Sequence, residues 1–182
     1  MYKRFRAGLS GRAQALVAAL GTTLCLLIAF AAARAVMAPR GPTPGALVEV
    51  NLPLPAYRLT DFGQRAVTAD ELRSGRVLLF YLKTDCLPCL KEMEVISRLR
   101  RDAPPGLRIY GVAAESAARL TDFAERRNLT FPIMSDAEGQ LAQSLDTRYF
   151  PSKYFVEDGV ITKAWYGRTR DEGELRRQLG VR

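Results

Sequence analysis

"VLLFYLKTDCLPCLKEM", residues 77–93, decides the fold. Val77 to Leu82 is a continuous apolar run bounded by Gly75 and the Cys86-x-x-Cys89 motif. That length and those bounds predict a strand buried on both faces. A helix is expected from about Cys86 to Arg101. Along it Cys89, Met93 and Ile96 recur at i, i+4 and i+7, so Cys89 lies on the buried stripe. Cys86 stands at the helix tip. The pair can be half of a metal clamp, a static staple, or a couple that opens and closes.

Downstream, Pro104-Pro105-Gly106 stops that helix and Leu107 to Ala113 reads as the next strand. Ser116 caps a helix in which Leu120, Phe123 and Ala124 share a face. Residues 130–134, "TFPIM", read as a short strand, and Leu141 with Leu145 marks a short helix. Tyr154–Val156 and Val160–Trp165 read as strands joined at Asp158-Gly159, a hairpin signal. Asp171 and Glu174 form a capping box for a last helix carrying Leu175 and Leu179. Upstream, residues 47–75 show only short strand-like pieces. The alternation predicts an α/β fold: a central mixed sheet, parallel with an antiparallel edge, and helices on both faces.

The net charge of +8 is unevenly placed. Residues 1–40 hold six bases and no acid, which leaves 21 bases against 19 acids in residues 41–182. The high pI therefore belongs to the N-terminus, and no nucleic-acid partner is expected. Ala13 to Ala33 is uncharged over 21 residues and follows Lys3, Arg4, Arg6 and Arg12. At ~1.5 Å per residue it spans roughly 30 Å, the hydrocarbon thickness of a bilayer. Residues 1–12 are read as a basic cytoplasmic N-terminus, 13–33 as a transmembrane anchor (or uncleaved signal), 34–46 as a Pro/Gly linker and 47–182 as the folded domain. The positive-inside rule puts that domain outside the cytoplasmic membrane, in the periplasm or its equivalent. A cleaved signal peptide competes with the anchor and exports the same domain. Cys25 lies inside the apolar run and is read as a small apolar residue.

The chain has no histidine. That excludes His-based triads and haem attachment at Cys86-x-x-Cys89, where Leu90 stands in the histidine's place. A structural zinc site wants about four ligands, and the exported part offers two cysteines; no metal or other cofactor is expected. A staple closing so short a loop removes little unfolded-state entropy. The redox reading is favoured. Cβ atoms at i and i+3 of a helix lie roughly 5–6 Å apart, and a disulfide needs about 3.5–4.5 Å, so a small adjustment reaches both redox states. At the helix tip, unpaired N–H groups and the dipole favour a Cys86 thiolate, the attacking species. Cys89, one turn inward, is the resolving thiol. Pro88 fits the first turn, where its missing N–H costs nothing.

A βαβ unit whose helix opens on CxxC resembles the thioredoxin superfamily. Residues 54–89, from "LPAYRLTDFG" through "CLPC", resemble the opening of TlpA/ResA-type membrane-anchored thiol–disulfide oxidoreductases. "LRIYGVAAESAARLTDFAERRNLTFPIMSD", residues 107–136, resembles the strand–helix segment that this branch inserts, and "YFPSKYFVEDGVI", residues 149–161, resembles its cis-proline strand and hairpin. The resemblance implies that Pro151 is a cis-proline facing the disulfide and that Phe150 offers backbone groups to a bound cysteine-containing strand. It implies reducing work on disulfides of exported proteins, for example in cytochrome c biogenesis, with a membrane electron donor. Three positions depart from the pattern. Asp85 replaces a tryptophan, opposes a thiolate at Cys86, and also suits a helix cap. Phe80 stands where thioredoxin has a buried acid. Glu94 replaces a helix-kinking proline. Trp165 is assigned to the core.

Three other functions compete: a disulfide-forming oxidase, a thiol peroxidase, and a non-catalytic factor that holds clients near Pro151. Thr84 and Cys86 lack the proline and spacing of a peroxidase site.

Overall fold

The computed structural model describes residues 11–37, 47–63 and 65–180. The chain divides into two units, Met1–Gly41 and Pro42–Arg182. Residues 1–10 of the expected basic segment (1–12) and residues 38–46 of the expected linker (34–46) lie outside the described residues.

Among its described residues the first unit holds one helix, α1 (Gly11–Met37). From residue 15 to residue 31 its side chains are exposed all round, Leu16, Leu20, Leu26 and Phe30 among them. The hydroxyls of Thr22 and Thr23 donate to Ala19 O, both at 2.9 Å, so the polar groups of the run are satisfied within the helix. Among the described residues, no helix is long and apolar enough to cross a membrane.

The second unit is built on a six-stranded sheet in the order β1-β6-β5-β2-β3-β4. The strands are β1 (Leu47–Pro53), β2 (Arg76–Tyr81), β3 (Leu107–Ala113), β4 (Ile133–Ser135), β5 (Ser152–Glu157) and β6 (Val160–Tyr166). The helices are α2 (Ala69–Arg73), α3 (Leu87–Arg101), α4 (Ala117–Arg127), α5 (Gln140–Ser144) and α6 (Glu172–Leu179). β2 runs parallel to β3 and antiparallel to β5, and β3 runs parallel to β4, so the sheet is mixed as expected. The hairpin turns at Asp158-Gly159, both at positive φ, which that turn type requires.

The continuous apolar run of β2 has a simple cause. Leu78, Phe80 and Leu82 enter one core cluster with α3, α4 and α6 residues. Val77, Leu79 and Tyr81 enter a second cluster on the opposite face. All six are fully buried. Trp165 is buried in the first cluster, as assigned. Two local expectations shift. β4 begins three residues later than the "TFPIM" reading, because Phe131 packs into the core ahead of the strand. Residues 69–73 form a helix that the strand-like reading of 47–75 passed over; its Thr68/Glu71 capping box is visible in "TADE".

Candidate active site

α3 begins on the cysteine pair. Cys86 is the N-cap residue, Leu87 the first helical residue and Pro88 the next. The Cys89 N–H donates to Cys86 Sγ at 3.2 Å, which satisfies one of the first-turn amides with a sulfur. Cys86 and Cys89 are joined as a disulfide with their Cα atoms 5.2 Å apart. Their surroundings differ. Cys89 is fully buried beside Met93 and Ile96, while Cys86 is half-buried at the rim of the same cluster. Leu87, between them, is 62% exposed. The geometry gives Cys86 the features of an attacking sulfur: partial access, an amide donor aimed at it, and the positive helix end.

The loop before Cys86 is tied down. Thr84 donates its N–H and its hydroxyl to the Glu115 carboxylate, at 2.9 and 2.7 Å. Arg119 completes the group by pairing with Glu115 at 2.7 Å. Lys83 lays its ammonium over the Phe150 ring, 4.5 Å from the centroid. That contact joins the loop to the segment carrying Phe150 and Pro151. The Phe150–Pro151 peptide is cis. Pro151 O accepts from Gly167 N–H at 2.7 Å, whereas the main chain of Phe150 makes no backbone hydrogen bond among the described residues. Asp85 is exposed and makes no hydrogen bond or ion pair among the described residues. The capping role considered for it belongs to Cys86, one residue later.

Phe80 is an ordinary core residue, packed edge-on against Phe131. A buried carboxylate is nevertheless present, supplied by the helix rather than the strand. Glu92, on α3, and Lys153, on β5, are both fully buried and pair at 2.7 Å. Lys153 also donates to Gly167 O at 2.8 Å. Glu92 accepts from Thr169 N–H at 3.0 Å and from its hydroxyl at 2.6 Å. Burial pulls the Lys153 pKa below the usual lysine value, and the Glu92 charge opposes that pull. Through Gly167 the network links the helix carrying the disulfide to the cis-proline strand. Sequence reasoning passed over it. The available signal was a pair of opposite charges inside apolar patterns: Glu92 on the Cys89/Met93/Ile96 stripe and Lys153 within "SKYFV". Glu94 is exposed on an uninterrupted α3. Among the described residues, no cluster of three or more acids or cysteines is placed to hold a metal.

The AhpC/TSA family profile matches residues 50–164, which runs from within β1 to within β6 and includes the cysteine pair. The chain belongs to the AhpC/TSA family. Among its relatives is the thiol-disulfide oxidoreductase ResA of Geobacillus kaustophilus, 27% identical over 134 residues, with 72% of this chain and 77% of ResA covered. A protein named as a peroxiredoxin, bcp of Coxiella burnetii, is 28% identical over 65% of this chain and 88% of its own length. The crystal structure of StoA from Bacillus subtilis shares the fold, with a TM-score of 0.57 at 18% identity, covering 75% of this chain and 98% of StoA. The fold is thioredoxin-like, and the enzyme class read from the CxxC is the class that ResA carries in its name.

Proposed function

We propose that the chain is a membrane-tethered thiol–disulfide oxidoreductase that reduces disulfides in exported proteins. The observation that carries this reading is the unequal placement of two bonded cysteines, Cys86 accessible at the helix cap and Cys89 buried one turn in. In the reduced chain, the Cys86 thiolate attacks a client S–S bond and one client sulfur leaves as thiolate. Cys89, deprotonated, then attacks Cys86 Sγ, and the second client sulfur leaves. The client gains two electrons and two protons, and the Cys86–Cys89 disulfide forms. A thiol donor at the membrane must return those electrons, because the exported compartment is oxidising. Exposed Leu87 offers an apolar contact beside the sulfurs, and the open main chain of Phe150 offers hydrogen bonds to an extended client strand.

The tether in this reading is residues 13–33, with the N-terminus inside and the enzyme outside the cytoplasmic membrane. Its support is the uncharged run, the preceding bases and the internally bonded threonines. Within this reading, oxidised apocytochrome c is one client class, as the resemblance to TlpA/ResA-type proteins implies.

Trapping tests the roles. Full-length Cys89→Ser should accumulate mixed disulfides through Cys86, and Cys86→Ser should accumulate none. The reduction potential tests the direction. A value near the thioredoxin level of about −270 mV supports a reductase, and one near −120 mV supports an oxidase instead. A peroxidase is the second reading, favoured by the peroxiredoxin-named relative. Hydrogen peroxide turnover by the reduced chain decides it; the Thr84 hydroxyl donates its proton to Glu115.

A further inference from the structure

An arginine-rich face adjoins the disulfide. One cleft of about 380 Å³ begins at Thr84 and Asp85 and runs along Arg119, Phe123, Arg126 and Arg127. A second, of about 420 Å³, begins at Leu90 and passes Glu94, Arg98 and Arg101 to the same Arg127. The two clefts therefore form one surface along α3 and α4. It begins one residue before Cys86 and one residue after Cys89.

Five arginines against two carboxylates line this surface. The whole segment 41–182 is close to neutral, with 21 bases and 19 acids, so the positive charge is concentrated here. Arg119 is held by Glu115, and Arg98 lies 3.8 Å from Glu172. Arg101, Arg126 and Arg127 are exposed and form no ion pair among the described residues. Phe123, Met93 and Leu129 give the clefts an apolar floor. Unpaired guanidinium groups above an apolar floor suit carboxylates presented on a peptide, which they bind in bidentate fashion.

We infer that this face docks an acidic segment of the protein that exchanges disulfides with Cys86. The inference rests on the oxidoreductase reading and adds the chemistry of its partner. Charge complementarity of this kind acts chiefly on encounter rate and is screened by salt.

The test uses the full chain in detergent and two disulfide peptides that share one cysteine context. One is flanked by glutamates and the other by lysines; a small neutral disulfide reports the basal exchange rate. The wild-type chain should reduce the glutamate-flanked peptide about tenfold faster than the lysine-flanked one at low salt. The ratio should fall toward one in 0.5 M salt, a concentration at which the Debye length is only about 4–5 Å. Arg126→Glu/Arg127→Glu should invert the preference and leave the neutral disulfide rate unchanged. Equal rates on the two peptides, or a ratio that survives charge reversal, would overturn the inference while the oxidoreductase reading stands. Charge reversal that alters only affinity for phosphatidylglycerol vesicles would assign the face to lipid and also overturn it. No exchange with any of the three disulfides would instead sink the oxidoreductase reading itself.

Discussion

Replacing Lys153 by Met tests the buried network most directly. The side chain keeps its length and loses its charge. Glu92 then stays fully buried and retains only the two Thr169 donors, at 3.0 and 2.6 Å. Removing one partner of a buried pair costs about 3–5 kcal/mol, because the remaining charge loses its counter-charge. Glu92→Leu alone leaves a buried ammonium with Gly167 O as its acceptor and should cost a similar amount. The double variant removes both charges. Its residual penalty is the orphaned Thr169 N–H and the Gly167 carbonyl, about 1–3 kcal/mol. The two single losses sum to well above that, so the cycle should show strong coupling. Urea unfolding of the oxidised full chain in detergent, at low temperature, measures all three variants. A Lys153→Met loss below about 1 kcal/mol, or a double variant as damaged as the sum of the singles, would refute the assignment of a charge-balanced pair.

Three further outcomes are expected. Gly111→Ala places a Cβ 2.9 Å from Ile133 Cγ1 and 3.2 Å from Phe131 Cε2 in the middle of β3; overpacking of this kind costs about 1–3 kcal/mol in the same urea assay. Glu71 is pulled down from 4.5 to about 2, chiefly by its hydrogen bond to Arg65 and then by the Thr68 amide. A carboxylate lowered on folding stabilises above its unfolded pKa and loses that contribution as pH falls toward the folded one; Glu71→Ala should therefore cost about 1 kcal/mol at pH 7 and almost nothing near pH 2, checked by unfolding across that range. Asp85→Asn removes an exposed charge next to Cys86. Exposed charges in water interact by about 1 kcal/mol or less, so alkylation of reduced Cys86 at pH 7 should speed up by a few-fold at most.

What the sequence disclosed follows from how locally each feature is encoded. Strand β2 needed only the six-residue apolar run Val77–Leu82 and its two boundaries, and the hairpin needed only Asp158-Gly159. The helix tip was legible because Pro88 and the cysteine spacing are local. α2 was missed although its capping box is local, because five residues carry too little periodicity to stand out. The Glu92–Lys153 pair is of another kind. Its members are 61 residues apart, and neither is diagnostic alone. Each is a lone charge inside an apolar pattern, and only the sheet order, which brings β5 beneath α3, makes them partners.

The same long-range logic links the pair to the chemistry. A redox cycle at Cys86 must change one bond without loosening the helix cap that holds it. Lys153 fastens α3 to the loop at Gly167, and Gly167 in turn holds Pro151. The disulfide and the cis-proline segment, brought together from residues 86–89 and 150–151, thus share one buried anchor. A variant that breaks it should blur the geometry of client docking even where the cysteines still exchange. Lys153→Met should therefore raise KM for a disulfide peptide more than it slows exchange with a small neutral disulfide. Equal slowing on both would mean that the anchor supports the helix cap alone and that its tie to Pro151 has no functional consequence.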